Sequence, residues 1–471
     1  MHFSHVHTRV ANHRLSGLAV ALILSLLLLG LLSGRAWAVT PTYCSTGTTQ
    51  WQGGSGDWGS GSWSNGNPSA QCDTVINGNV TVTFTTQSDH YGNEDTANTD
   101  GLTLSGGATV VVQGESDGVI GNWYNATTLN VGADGLTINQ GSTLDIEASN
   151  ATQTPPAGTP PIGGSANVNV DSGASGPANV NNNGAIVAST NDSAWGESFN
   201  VGGTIANIGS VTDKSGLLTL QGQGNTAYLF NNSGTFTVDS GASVTMLAGD
   251  GSAFTNAGNV SNQGSFTLQG TMHWNQNAGS TSGNPIELTG GEVLVDAAGA
   301  GAFEVIDGCG GGALTGTVPQ GQTVTVQGAT QGCSGNLGQQ SVMTLGTGSN
   351  PPPVVNHGTI VLNASGSGKT SGGSAQIQGA ELDNYGTFDS TITDSNFTTT
   401  LSTPLVNEAG GTVNVTGGQL YQTGGTPTTN NGTVNVGPGS TWLVQGGSFT
   451  NSGRLGLQVA GATSFGNFNL T

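Results

Sequence analysis

A short asparagine–glycine unit recurs along this chain, and it constrains the fold more than any other feature. Copies occur as Asn231-Asn-Ser-Gly234, Asn356-His-Gly358, Asn384-Tyr-Gly386 and Asn430-Asn-Gly432, each followed by a short run of alternating apolar residues. Glycine accepts the positive φ that tight turns need, and asparagine tolerates it better than most other residues. Each unit therefore predicts a turn that leads into a β-strand.

The spacing of these turns predicts how the strands are arranged. The turn glycines Gly184, Gly209, Gly234 and Gly258 are 25, 25 and 24 residues apart, and a similar spacing resumes at Gly358. A period in the twenties is typical of solenoids. Alternation places Phe236, Val238, Val244, Met246 and Phe254 on the inner side of their strands. We therefore predict an all-β protein, a right-handed parallel β-helix with three short strands per coil.

Residues 1–38 have the features of a signal peptide. Arg9 and Arg14 precede an apolar run, which is followed by the small-residue cleavage signal Ala36-Trp-Ala38. An uncleaved N-terminal anchor is the alternative, because the run approaches the ~20 residues that span a bilayer. We expect export to the cell surface or the extracellular space.

The rest of the chain divides into four expected segments. Residues 39–100 form an N-terminal cap with a Trp/Gly motif and the first strands, and 101–301 form β-helix repeats interrupted by a Pro-rich loop at 152–164. Residues 302–353 are predicted as a disulfide-pinned excursion that ends in a proline break. Residues 354–471 return to β-helix repeats, in an array that is either truncated or covered by another subunit.

The four cysteines form two local pairs, Cys44 with Cys72 and Cys309 with Cys333. Exported proteins keep cysteines oxidised, so we expect two local disulfides rather than the connectivities that join distant segments.

Charge narrows the range of partners. Without residues 1–38, only Lys214, Lys369 and Arg454 remain as basic residues, against 27 acidic ones. Nucleic-acid binding needs basic side chains that displace counterions from phosphates, and anionic membrane surfaces attract the same side chains. We expect no nucleic-acid partner and no membrane insertion of the mature chain.

A tryptophan-rich segment opens the mature chain. Trp51, Trp58 and Trp63 lie among glycines and serines, and Gly66, Pro68 and an Asp-x-x-Ile strand follow. This segment, together with the Asn-x-Gly-Thr repeats, resembles bacterial autotransporter and haemagglutinin-like β-helix surface proteins. The resemblance covers most of the mature chain and implies a secreted or surface-displayed adhesion or scaffold protein without catalysis. Unlike autotransporters, the chain ends without strands of a C-terminal barrel.

Two interpretations of the three tryptophans remain. They form an end cap over the first coil, pinned by Cys44–Cys72, or a platform on which sugar rings stack. The cap is the simpler interpretation, because a solenoid must cover its terminal strand edges.

Several residue groups imitate catalytic or metal sites. Gly366-Ser-Gly-Lys369-Thr370 resembles the end of a phosphate-binding loop, but Asn363 stands where the motif needs glycine. A β-helix polysaccharide lyase or glycosidase is the enzymatic alternative, and it needs a base or two facing carboxyls. The candidates, which we interpret as solvent-facing, are Lys214 beside Asp213, Asp145 with Glu147, and Glu292 with Asp296.

The sequence patterns that could indicate a metal site are equally weak. The oxygen-rich stretch from Asn93-Glu94-Asp95 to Asp100 fits no defined calcium spacing, and we interpret it as a hydrated turn. His90, His273 and His357 are far apart in the sequence. We therefore name no catalytic, cofactor or metal residue. The sequence favours a non-catalytic structural or adhesive rod, whose partners are host or matrix glycans or proteins, or neighbouring surface proteins.

Overall fold

A computed structural model gives the fold. The structure describes residues 42–471 except 61, 86–94, 115–124, 151–162, 172–176, 191–195, 224–225, 250, 292, 297, 307–310, 329–339, 366–372, 394–396, 458, 461–463, 466 and 471. All of the elements below belong to the unit Tyr43–Thr471. The predicted signal peptide, residues 1–38, and nearly all of the predicted Pro-rich loop 152–164 lie outside the described residues.

The chain coils so that each strand pairs in parallel with its equivalent in the next coil, which produces three ladders of strands. The first ladder contains the leading halves of Asp95–Ser105 and Asn125–Ile138, then Gly163–Val170, Glu197–Val201, Gly216–Gly222, Ala242–Ala248, Ser265–Gly270, Ile286–Leu288, Gly301–Val305, Gln322–Gln327, Thr359–Ala364, Thr387–Ile392, Thr412–Thr416, Thr433–Val436 and Arg454–Leu457.

The second ladder contains Gly47–Gln50, Cys72–Asn77, the trailing halves of Asp95–Ser105 and Asn125–Ile138, Val180–Asn182, Thr204–Asn207, Leu229–Asn232, Ala253–Asn256, His273–Gln276, Val293–Asp296, Gly312–Val318, Ser341–Leu345, Ala375–Gly379, Thr399–Ser402, Gln419–Gln422, Thr441–Val444 and Asn467–Leu470.

The third ladder runs in two stretches. The first contains Gly56–Asp57, Thr81–Thr85, Thr109–Gly114, Thr143–Asn150, Ala185–Thr190, Ser210–Asp213, Thr235–Val238, Asn259–Asn262 and Ser280–Gly283. The second starts from the end of Gly312–Val318 and contains Val354–Asn356, Leu382–Asn384, Leu405–Asn407, Thr428–Asn430 and Phe449–Asn451. A short 3₁₀ turn, Trp58–Ser60, and an antiparallel pair, Val459–Ala460 with Ser464–Phe465, complete the described elements.

This arrangement confirms the predicted all-β fold, a parallel β-helix with three short strands per coil. The right-handed sense stays a prediction from the geometry of parallel crossovers. In the described part of the chain we find no helix with the length and apolar character that a membrane crossing requires.

The interior is a continuous column of apolar side chains. Phe236, Val238, Val244, Met246 and Phe254 are all buried, as the alternation predicts. Rings from successive coils lie over one another: the Phe230 and Phe254 ring centroids are 4.9 Å apart, and those of Phe254 and Trp274 are 4.3 Å apart. Each coil therefore buries one apolar slice against its two neighbours, and stability is nearly a sum over adjacent coils.

Two rows of buried asparagines accompany the apolar core. In the first, the side-chain amide of Asn182 donates to Asn207, Asn207 to Asn232, and Asn232 to Asn256, at 2.7–2.9 Å. The second row contains Asn356, Asn384, Asn407 and Asn430 and ends at the exposed Asn451, with donor–acceptor distances of 2.6–2.8 Å. The first row ends strands of the second ladder, whereas the second row ends strands of the third ladder. The asparagine row therefore moves from one corner of the coil to another across residues 286–353, where the third ladder is interrupted.

The turn glycines of the repeats do not supply the positive φ that was predicted for them. Gly234, Gly258 and Gly386 do not have a positive φ. A Cβ added at Gly234 would lie 2.1 Å from the carbonyl oxygen of Gly209, and one at Gly258 would lie 2.1 Å from that of Gly234. Glycine is needed here because the backbones of adjacent coils approach too closely for any side chain.

The segment 302–353 also needs a correction. In place of the expected excursion, its described residues include ladder strands such as Gln322–Gln327 and Ser341–Leu345. Val324 and Val326 alternate with threonines and are buried in the core. High glycine content hid this strand pattern. Cys309 and Cys333, the predicted second disulfide, lie outside the described residues.

Candidate functional site

The tryptophan segment forms a compact aromatic cluster against the first coils. Trp51, Trp58 and Trp63 are all buried, and the ring centroid of Trp63 lies 4.9 Å from that of Trp51 and 5.2 Å from that of Trp58. The Trp63 indole N–H donates to the carbonyl of Trp58 at 2.9 Å. This packing favours the cap interpretation, because a stacking platform needs an open ring face.

The predicted Cys44–Cys72 disulfide is present and fixes the neighbouring backbone. Ser69 Oγ donates to the Cys44 carbonyl at 2.6 Å, and the Cys44 amide donates to the Asn67 carbonyl at 2.9 Å. Tyr43 is held beside this network and is 62% exposed. An exposed tyrosine on a rigid support is a feature of ligand-binding surfaces.

Tyr43 forms one wall of a cleft of about 450 Å³. The other walls include the edge of Trp58, Phe84, Asp57 and Asn98. The Asp57 carboxylate accepts a hydrogen bond from the Gly59 amide at 2.7 Å, which orients it. Aromatic surface with a few convergent polar groups is the usual lining of a small-molecule or glycan site.

A second cleft of about 600 Å³ adjoins the first along the outer side of the first ladder, and Ala70 and Asn98 line both. A row of outward-facing amides forms its floor: Asn130 donates to Asn98 at 3.0 Å, and Asn169 donates to Asn130 at 2.8 Å. Gln223 stands at its far wall. We call these two adjoining clefts the N-terminal groove.

Three carboxylates meet at one corner beside this groove. Oxygen atoms of Asp73, Asp100 and Asp134, from successive coils, all lie within 4.8 Å of one another. Burial and the charge of Asp134, with a smaller effect of Asp100, raise the pKa of Asp73. Carboxylate oxygens are the ligands that Ca²⁺ takes, so these three residues could hold a cation. Asp100 belongs to the stretch weighed above as a calcium loop, whereas Asn93 and Glu94 lie outside the described residues.

A pair of acids is buried inside the coil. Glu197 is 1% exposed and Asp213 is 0% exposed. Burial raises the pKa of Glu197 to about 8, and burial together with Glu197 raises the pKa of Asp213 to about 8. The amides of Ser215 and Leu218 oppose the shift of Asp213, but neither makes a hydrogen bond of normal geometry to its carboxyl oxygens. Asp213 is therefore not the solvated residue that its neighbour Lys214 suggested.

Of the other predicted candidates, Asp145, Glu147 and Lys214 lie near one another on neighbouring coils, whereas the histidines lie apart from them. Asp145 and Glu147 lie on the same outer side of one strand, as expected, and Gln113 donates to Glu147 at 3.1 Å. Burial and Glu147 raise the pKa of Asp145 to about 6, while Lys214 opposes the shift. His357 stacks on Tyr385 at 5.0 Å, and His273 is exposed on another coil.

Several candidates lie outside the described residues. These are His90, Glu292, the side chain of Asp296, and the loop 366–372 that contains the imitation phosphate-binding motif.

Comparisons with known proteins add no assignment. No protein-family model, no curated protein and no solved structure matches this chain.

Proposed function

We propose that this chain is a secreted or surface-displayed β-helical rod with a structural and adhesive role and no catalytic activity. The observation that carries the proposal is the uninterrupted stacking of the first ladder from Asp95–Ser105 to Arg454–Leu457. Stacked coils of this kind make a stiff spacer whose outer faces present repeated rows of side chains. The resemblance to bacterial surface β-helix proteins supports the same role.

The character of the outer side chains also supports binding rather than chemistry. Outward positions carry rows of amides and hydroxyls, for example Asn98 and Asn130, which are joined by a hydrogen bond of 3.0 Å. Catalytic groups need perturbed acids or bases aimed at one point. Asp145 and Glu147, with Lys214 near them, share one outer side of adjacent strands instead of placing two carboxyls across a cleft from each other.

The test combines location and binding. Antibodies against the mature chain should label intact cells or the culture medium, and a variant without residues 1–38 should remain inside the cell. The purified chain should adhere to surfaces displaying glycans or matrix proteins without cleaving them. Labelling that needs permeabilised cells, or release of reducing ends from any polysaccharide, would refute the proposal.

A further inference from the structure

The N-terminal groove has the chemistry of a polymer-binding site. Its two clefts, of about 450 and 600 Å³, adjoin each other, and Ala70 and Asn98 line both. From the proposed adhesive function and this geometry, we propose that the groove binds an uncharged polysaccharide chain, with Tyr43 as the stacking platform and the Asn98–Asn130–Asn169 row as the hydroxyl-binding floor.

The amide row is suited to sugar hydroxyls. A side-chain amide has two N–H donors and an oxygen with two lone pairs. In the row, Asn130 uses one N–H toward Asn98 and accepts one hydrogen bond from Asn169. One donor and one lone pair remain on Asn130, and hydroxyl groups, which both donate and accept, match that pair. Hydrogen bonds along the row also fix the amide orientations before a ligand arrives, which lowers the entropy cost of binding.

The spacing of the row points to a chain rather than a single sugar. Asn98, Asn130 and Asn169 belong to three successive coils. Adjacent parallel strands are about 4.8 Å apart, which is close to the length of one sugar unit in an extended polysaccharide. Each coil therefore offers the same amide to successive units.

Charge selects among polysaccharides. Asp57 lines the first cleft, and Asp100 and Asp171 line the second. No Lys or Arg occurs among the described lining residues of either cleft. Uronate, sialate or sulfate groups would meet the carboxylates of Asp57 and Asp100 and no lysine or arginine among those lining residues, so the groove favours neutral sugars.

The apolar parts of the groove supply the stacking surface. Tyr43 is 62% exposed, whereas Trp58 behind it is 5% exposed and packs on Phe84 with ring centroids 6.3 Å apart. Trp58 thus supports the wall, and Tyr43 offers the free ring. The sequence left two roles open for the tryptophan segment, an end cap and a sugar-stacking platform. In the groove the tryptophans form the cap, and a tyrosine beside them is the platform.

The experiment is calorimetric titration of the purified mature chain with neutral hexasaccharides of glucose, mannose and xylose, the matching disaccharides, and a hexamer of galacturonic acid. We expect at least one neutral hexasaccharide to bind, more tightly than its disaccharide and more tightly than the uronate. Tyr43→Ala should weaken that binding about tenfold. Asn130→Ala should weaken it several-fold while the far-UV circular dichroism stays unchanged.

Two matched controls belong to the test. Tyr385→Ala removes another exposed tyrosine, which is 44% exposed and stacks on His357. Asn435→Ala removes another outward amide of the first ladder, which donates to Asn414. Both controls should bind as the wild type does. Wild-type affinity in Tyr43→Ala and Asn130→Ala, preference for the uronate, or no binding of any neutral hexasaccharide would each overturn the inference. Because these measurements use purified protein, they are independent of the cell-labelling test of the proposed function.

Discussion

Glu197 and Asp213 make the stability of this protein fall as pH rises. Each carboxyl has a pKa of about 8 in the folded chain, raised from 4.5 for Glu197 and 3.8 for Asp213. Below pH ~4 both groups are protonated in the folded and unfolded states, so stability is greatest there. Between those ordinary values and pH 8, unfolding releases a proton from each group, so stability falls with increasing pH.

The change that tests this is Glu197→Gln, which keeps the shape and removes the ionisation. At pH 7 the folded state must hold Glu197 protonated about 2.5 pH units above its ordinary pKa. At 1.36 kcal/mol per unit this costs about 3 kcal/mol. We therefore expect Glu197→Gln to stabilise the chain by about 3 kcal/mol at pH 7 and by almost nothing at pH 4.

Urea denaturation followed by circular dichroism at pH 4, 5, 6, 7 and 8 measures the difference. Hydrogen exchange of the backbone amides in the strand Glu197–Val201 should show whether the stability difference arises there, because solenoids open locally. Asp389→Asn is the matched control, since Asp389 lies on the outer side of its strand and accepts a hydrogen bond from Asn414. A wild-type stability that rises from pH 4 to pH 7, or equal gains for both variants, would show that the buried acid does not act as argued.

Three further changes test the packing. Asn232→Ala breaks the buried amide row and removes one hydrogen-bond partner from each of its two neighbours, which should cost about 2–4 kcal/mol of unfolding free energy in urea. Gly234→Ala should lower the melting temperature more than Gly241→Ala does. A Cβ at position 234 would meet the Gly209 carbonyl oxygen, whereas Gly241 has open space around it and only a positive φ of 87°. Equal melting temperatures would contradict the close-approach argument. Asp73→Asn relieves repulsion among three stacked carboxylates and should raise the melting temperature at pH 7 in cation-free buffer; a lower value would indicate that the carboxylate is needed at this corner.

The fold was predictable because its signal is local and repeated. Alternation within strands such as Thr235–Val238 identifies the inward residues, and that periodicity does not depend on which coil follows which. The glycine spacing supplies the coil length for the same reason. The physical reason for the glycines was not predictable, because the approach of Gly234 to the Gly209 carbonyl is a contact between coils. A sequence motif shows that glycine is needed but not which neighbour requires it.

The candidate site was less predictable, since it depends on contacts across coils. Trp51, Trp58 and Trp63 stand out in the sequence, but their burial follows from packing on one another. Tyr43 has no motif of its own, and the Cys44–Cys72 link together with the hydrogen bonds of Cys44 to Asn67 and Ser69 places it at the rim of a cleft. The signal that could have found Asp213 was its inward position in the strand Ser210–Asp213, where its register partners are Ala188 and Val238.

The low charge content follows from stacking. In a parallel β-helix, equivalent residues of successive coils lie directly over one another, so a charge repeated in each coil repels itself. Where acids do stack, as Glu287 does with Glu304 in register, burial and this repulsion raise the pKa of Glu304.

An amide avoids that repulsion, because it donates to one neighbour and accepts from the other. The inner Asn182–Asn256 row and the outer Asn98–Asn169 row are two uses of this property, one to satisfy a buried corner and one on the surface. Along the Asn98–Asn169 row, the surface presents the same uncharged group in successive coils. A repeating neutral polymer is the ligand whose own repeat can match it, which is why we expect affinity to increase with oligosaccharide length.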